Sequence, residues 1–139
     1  MADICLGCLS PHAPLLIPEV GQEDLEKVRA TREAMEEMGR WLWEAAPETV
    51  VVISPHGTVF YDAVGIMTEK RLEGDFGSFG YRGIKLAYDS DLELVEAIVR
   101  NMAADGLKTQ QIDKERARRL GVPGVLDYGT LVPLHYLEG

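Results

Sequence analysis

Two apolar runs in this chain stop at the same tripeptide. Ile4 to Leu9 runs into Ser10-Pro11-His12, and Thr49 to Ile53 runs into Ser54-Pro55-His56. Each run reads as a buried strand, because a short, continuous apolar stretch suits a strand covered on both faces, and the second is β-branched almost throughout. Proline then breaks regular continuation, and its restriction of the local backbone helps to fix the direction in which each imidazole is presented. In open α/β sheets ligands gather beyond the C-terminal ends of the strands. If the two strands are parallel neighbours, His12 and His56 stand on one sheet edge although 44 positions separate them.

The remaining pattern is that of a protein with alternating strands and helices. From Glu23 to about Ala46, the residues Leu25, Val28, Met35, Met38, Leu42 and Ala45 recur at helical spacing, and Pro47 ends the helix. Phe60 to Met67 and Ile84 to Tyr88 read as strands, with the Gly- and aromatic-rich Glu73 to Gly83 as a loop between them. Ser90 followed by Glu93 has the form of a capping box ahead of a second amphipathic helix marked by Leu92, Val95, Val99 and Met102. A charged segment, Lys108 to Arg119, leads to the Gly-containing stretch that closes the chain. This order implies an α/β fold, a three-layer α/β/α sandwich around a partly parallel, mixed sheet.

With 139 residues, the expectation is one domain spanning residues 1–139. The chain is 46% hydrophobic and 27% charged, as globular proteins are, and its net charge of -9 disfavours nucleic acid and anionic membrane as partners. No apolar run approaches the roughly 20 residues that span a bilayer, and the N-terminus has no basic region followed by a hydrophobic signal segment, so the expected location is the cytoplasm. Cys5 and Cys8 form a C-x-x-C that could serve redox chemistry or half a zinc site. Within a strand, residues three apart face opposite sides, so two buried cysteines packing as small hydrophobes is the preferred reading.

Neutral imidazole is the commonest metal ligand, and two histidines with one carboxylate make the facial site of non-haem iron(II) oxygenases, with open positions for dioxygen and substrate. Zinc fits two histidines as well, and a lone histidine often does no more than hydrogen-bond a loop backbone. His135, in the apolar segment around Leu131 and Leu134, reads first as structural. Asp127 and Tyr128 lie in a Gly-flanked turn, where the phenol is able to donate a hydrogen bond to bound oxygen or to a substrate hydroxyl.

Taken in order, "LSPHAPLLIPEVG", "ETVVVISPHG" and "LDYGTLVPLHYL" resemble the class III extradiol ring-cleavage dioxygenases, typified by the catalytic B subunit of protocatechuate 4,5-dioxygenase, and in particular their Memo-related branch. The resemblance covers nearly the whole chain. It implies an Fe(II) centre that binds a catechol-type aromatic through its hydroxyls beside dioxygen, and it assigns His12 and His56 as iron ligands. The family's turn motif reads Asp-His-Gly, with the histidine as acid/base, where this chain has Asp127-Tyr128-Gly129. A tyrosine, with an ordinary pKa near 10, is a poor general base at neutral pH, which leaves Tyr128 as a hydrogen-bond donor and His135 as the other candidate for catalysis.

The family's third ligand is a glutamate well beyond the turn motif, so the domain is expected to lack the family's C-terminal part. Glu19, Asp62, Asp127 or a partner chain then supplies the carboxylate, and a homo-oligomer is one such arrangement. Two readings follow: an Fe(II)-dependent aromatic ring-opening dioxygenase, or a Memo-like metal-binding or interaction protein without turnover. A zinc hydrolase is a third.

Overall fold

The computed structural model describes residues 3–137. In chain order its regular elements are α1 (Pro18–Gly21), α2 (Arg29–Ala45), β1 (Val64–Met67), β2 (Arg71–Phe76), β3 (Tyr81–Asp89), α3 (Leu92–Ala104), β4 (Thr109–Ile112), α4 (Lys114–Leu120) and α5 (Tyr128–His135). Turns of 3-10 helix lie at Pro14–Leu16, Gln22–Val28 and Gly77–Phe79. The fold is α/β and contains both parallel and antiparallel strand pairs: β1 with β4, and β2 with β3. The chain divides into two compact units, one of Met1–Ile53, Asp75–Leu86 and Tyr128–Gly139, the other of Ser54–Gly74 and Ala87–Asp127.

In the first unit the core is built from Leu16, Ile17, Met35, Phe76, Leu131 and Val132, all buried. Helix α2 follows the expected apolar spacing and buries Met35, Met38 and Gly39, although its approach as far as Val28 is 3-10 rather than α-helical. It ends at Ala46, which takes the left-handed conformation (φ 44°) and donates its N–H back to Leu42 and Trp43 before Pro47 prevents continuation. Gly39 is required by contact: a Cβ there would lie 2.1 Å from the carbonyl oxygen of Tyr136. Helix α5 buries Gly129, Thr130, Leu131, Val132 and Leu134. The expected turn at Asp127 and Tyr128 is corrected accordingly, because Tyr128 is the first residue of this helix.

In the second unit β1 and β4 run parallel, in register from Val64 opposite Thr109 to Met67 opposite Ile112. Parallel strands need a long crossover, and α3 lies within it. Helices α3 and α4 both pack against β4, burying Ile112 and Ala117. The cap of α3 is Asp91, whose carboxylate accepts the Leu94 N–H at 2.9 Å. Ser90, expected as the cap, instead donates its hydroxyl to the Glu69 carbonyl at 2.6 Å and ties the helix start to the residues ahead of β2. The charged segment after Lys108 is likewise ordered: it forms β4 and then α4, capped by Asp113.

Four further expectations are corrected. Residues 73–83 form most of the β2/β3 hairpin rather than a loop. The strand expected from Phe60 is laddered only over β1. Among the described residues, Ile4 to Leu9 and Thr49 to Ile53 lie outside both sheets, and Ile4 and Ile53 are each 93% exposed. A β-branched run favours a pleated surface, yet a strand forms only where a neighbour completes the ladder, and among the described residues the four strands pair with one another. Cys5 and Cys8, expected buried, are exposed free thiols for the same reason. Among the described residues no helix is long and apolar enough to cross a membrane.

Candidate metal centre

The first Ser-Pro-His end belongs to the first unit. Its Ser10 hydroxyl lies 2.8 Å from the Pro11 carbonyl oxygen and 3.1 Å from the sulfur of Met35 on α2. His12 is half-buried just ahead of the Pro14–Leu16 turn, and its ring stands 6.4 Å from that of Tyr128, tilted by 43°. Tyr128 in turn meets Phe79 edge to face, at 5.5 Å and 86°, and Phe79 stands 6.5 Å from the buried Phe76. Edge-to-face contact is a favoured aromatic geometry, so a continuous series of rings leads from the core out to His12.

The second Ser-Pro-His end belongs to the second unit and is held differently. The Ser54 hydroxyl donates to the Asp127 carboxylate at 2.6 Å, and the backbone N–H of His56 donates to the Ser54 hydroxyl oxygen at 3.2 Å. This closes a short serine turn around Pro55. The other Asp127 oxygen faces Gly57, 3.6 Å from where a Cβ would stand. His56 itself is exposed.

His12 groups with Tyr128, and the His56 turn with Asp127; the two histidines lie in different compact units. His135, in the last turn of α5, stands edge to face with Tyr136 at 5.5 Å and lines a surface groove of about 660 Å³ with Trp43 and Arg40. It is seven residues beyond Tyr128, about 10 Å along the helix axis. Burial raises the pKa of Tyr136 above the usual tyrosine value, Glu36 adds to this and Arg32 opposes it, and its hydroxyl donates to the Leu16 carbonyl at 2.5 Å.

Of the carboxylates considered as a third ligand, Asp62 pairs with Lys108 at 2.5 Å and Glu19 is exposed in the first turn of α1. Asp127, by contrast, is joined to a Ser-Pro-His turn through the Ser54 hydroxyl. Among the described residues no three His, Cys, Asp or Glu side chains gather as a metal-binding group. The donor types nonetheless suit iron, since imidazole is among its preferred ligands.

Residues 6–139 match the family described as the catalytic LigB subunit of aromatic ring-opening dioxygenase. The chain belongs to this family, the class III extradiol dioxygenases. It is also similar to Protein CA_C1420 of Clostridium acetobutylicum, with 26% identity over 130 residues. That alignment covers 94% of this chain and 28% of the relative, so the chain spans little more than a quarter of that protein's length.

Two residues beside these histidines, Ser54 and Phe79, were given no role of their own by the sequence. Ser54 carries a signal, because a serine two positions ahead of a backbone N–H is the start of a side-chain-closed turn. Phe79 carries none: it sits in "GSFG", and only the hairpin brings it to Tyr128.

Proposed function

We propose that this chain supplies the two imidazole ligands, His12 and His56, of a ferrous centre in an extradiol ring-cleaving dioxygenase acting on catechol-type aromatics with dioxygen. The observation that carries this reading is the family match over residues 6–139, which includes both Ser-Pro-His ends and the Asp127-Tyr128-Gly129 motif. When bound, ferrous iron supplies adjacent positions for the diol and for dioxygen. The chain's own residues have simpler tasks. His12 and His56 each offer a nitrogen lone pair in the neutral form. Phe79 and Tyr128 present rings against which an aromatic substrate packs, and the Tyr128 hydroxyl donates a hydrogen bond to a substrate hydroxyl.

Tyr128 is assigned the substrate contact because it adjoins His12, while His135 is the alternative two helical turns away. The carboxylate ligand is proposed to come from a partner chain or from a second copy of this one. A second reading, a metal-binding protein without turnover, is favoured by tyrosine standing where the family's turn motif carries its acid/base histidine. Both place the protein in the cytoplasm.

Anaerobic titration with Fe(II), beside the His12→Ala, His56→Ala double variant, tests the centre. Binding near one iron per chain that is lost in the variant supports it, and no binding by the native chain overturns it for the chain alone. Oxygen uptake across a panel of catechols then separates the two readings. Loss of uptake in Tyr128→Phe with retention in His135→Gln supports the assignment of Tyr128. Zinc-dependent ester hydrolysis without oxygen chemistry would replace both readings with a hydrolase.

A further inference from the structure

We infer that Ser54 and Asp127 form a positioning clamp for His56, so that the aspartate of the Asp-Tyr-Gly motif sets the direction of one imidazole rather than serving as a ligand itself. This rests on the proposed iron centre for its purpose and on geometry for its existence. Asp127 is 73 positions from Ser54 in the chain, yet its Oδ1 accepts the Ser54 hydroxyl proton at 2.6 Å. With that proton committed to the carboxylate, the oxygen of Ser54 turns its lone pairs towards the His56 N–H, which it accepts at 3.2 Å. The turn is therefore closed by two bonds in series, and the first has a charged acceptor, which makes it the stronger kind.

Pro55 limits the backbone between the two bonded residues, and Asp127 Oδ2 lies against Gly57 on the far side. The backbone N–H of His56 is held by Ser54 while the residue stays exposed, an arrangement suited to presenting a ligand. A carboxylate engaged in this way orients the site from outside it. Groups in such positions typically change metal affinity by about 10- to 100-fold when removed.

The test compares Ser54→Ala and Asp127→Ala with Ser54→Thr and Asp127→Asn in the full chain. The latter two retain a hydroxyl donor and an oxygen acceptor. Two readouts are taken: Fe(II) affinity under anaerobic conditions, and the amide and ring proton resonances of His12 and His56 by NMR without metal. The expected result is a loss of at least about tenfold in affinity for both alanine variants, largely restored in the conservative ones. In the metal-free spectra the His56 resonances move in the alanine variants and those of His12 stay in place.

A general loss of folding would move both histidines, and the conservative variants guard against it. Unchanged His56 resonances in Ser54→Ala overturn the clamp whatever iron does, as does native affinity in both alanine variants. If the native chain binds no iron while the His56 resonances still move, the clamp stands and the iron centre falls.

Discussion

The two Ser-Pro-His ends share a tripeptide and nothing else in the way they are held. The first is set by packing: Ser10 leans on the sulfur of Met35, a core residue, and His12 stands at the outer end of a series of rings that begins at buried Phe76. The second is set by polar bonds, through Ser54 to the Asp127 carboxylate. The difference teaches that a motif states which group is presented but not what fixes its direction. A packed anchor transmits any change in the core to the imidazole, whereas a hydrogen-bonded anchor transmits only changes to its own few atoms.

The largest effect is expected from Gly39→Ala. On an isolated helix this change stabilises by about 1 kcal/mol, so any loss isolates the tertiary contact. Here the new Cβ would stand 2.1 Å from the Tyr136 carbonyl oxygen, a backbone atom with little freedom to withdraw. A cost of about 3 kcal/mol is expected, read as a fall in Tm of about 10 °C. The His12 ring resonances should shift with it, since Met35 is on the same helix, and those of His56 should not. Equal shifts at both histidines would break the contrast between the two anchors.

A smaller effect in the same packed half is expected from Tyr136→Phe. Tyr136 is the polar exception in the packed half, donating to the Leu16 carbonyl just beyond the first Ser-Pro-His turn. Removing that bond should cost about 1 kcal/mol near neutral pH. Because burial raises the pKa of this phenol in the folded state, its stabilising contribution is complete below the ordinary tyrosine value near 10 and is lost as pH rises through the higher folded value. Denaturation midpoints taken from pH 8 to pH 11 should therefore fall for the native chain more steeply than for the phenylalanine variant. Parallel curves would show that the hydroxyl is not held as the structure has it.

Much of this was legible in the sequence, and the failures have identifiable causes. Helix α2 announced its buried face through Met35 and Met38, and β1, β3 and α3 lie within a few residues of where periodicity places them. Strand β2 was hidden by its glycine and aromatic content, although Arg71, Glu73 and Asp75 alternate with the less exposed Leu72, Gly74 and Phe76, the period of a half-buried strand. Ile4 to Leu9 and Thr49 to Ile53 were misplaced because β propensity describes a surface and is silent about whether a neighbouring strand exists. At the candidate centre, His12 and His56 could be picked out by their repeated motif. The partners of each turn could not, since the Ser54 to Asp127 and His12 to Tyr128 pairings join residues more than seventy positions apart.

The most direct test of the contrast is the pair Ser10→Ala and Ser54→Ala. The two serines occupy the same place in the same tripeptide, so propensity and side-chain entropy nearly cancel between the variants. What remains is the acceptor. The Ser10 hydroxyl divides between the adjacent Pro11 carbonyl at 2.8 Å, an exposed local bond that water replaces, and the Met35 thioether, a weak acceptor, so Ser10→Ala should cost only about 0.5 kcal/mol in a urea midpoint at unchanged slope. A carboxylate is a strong one, and the corresponding loss for Ser54→Ala is about 1.5 kcal/mol, the lower end for a bond to a charged group because the pair is only partly buried. A Ser10 variant that loses as much as the Ser54 variant would mean that the sulfur contact is a stronger anchor than its chemistry suggests. The two ends would then differ in their partners but not in how firmly each turn is fixed.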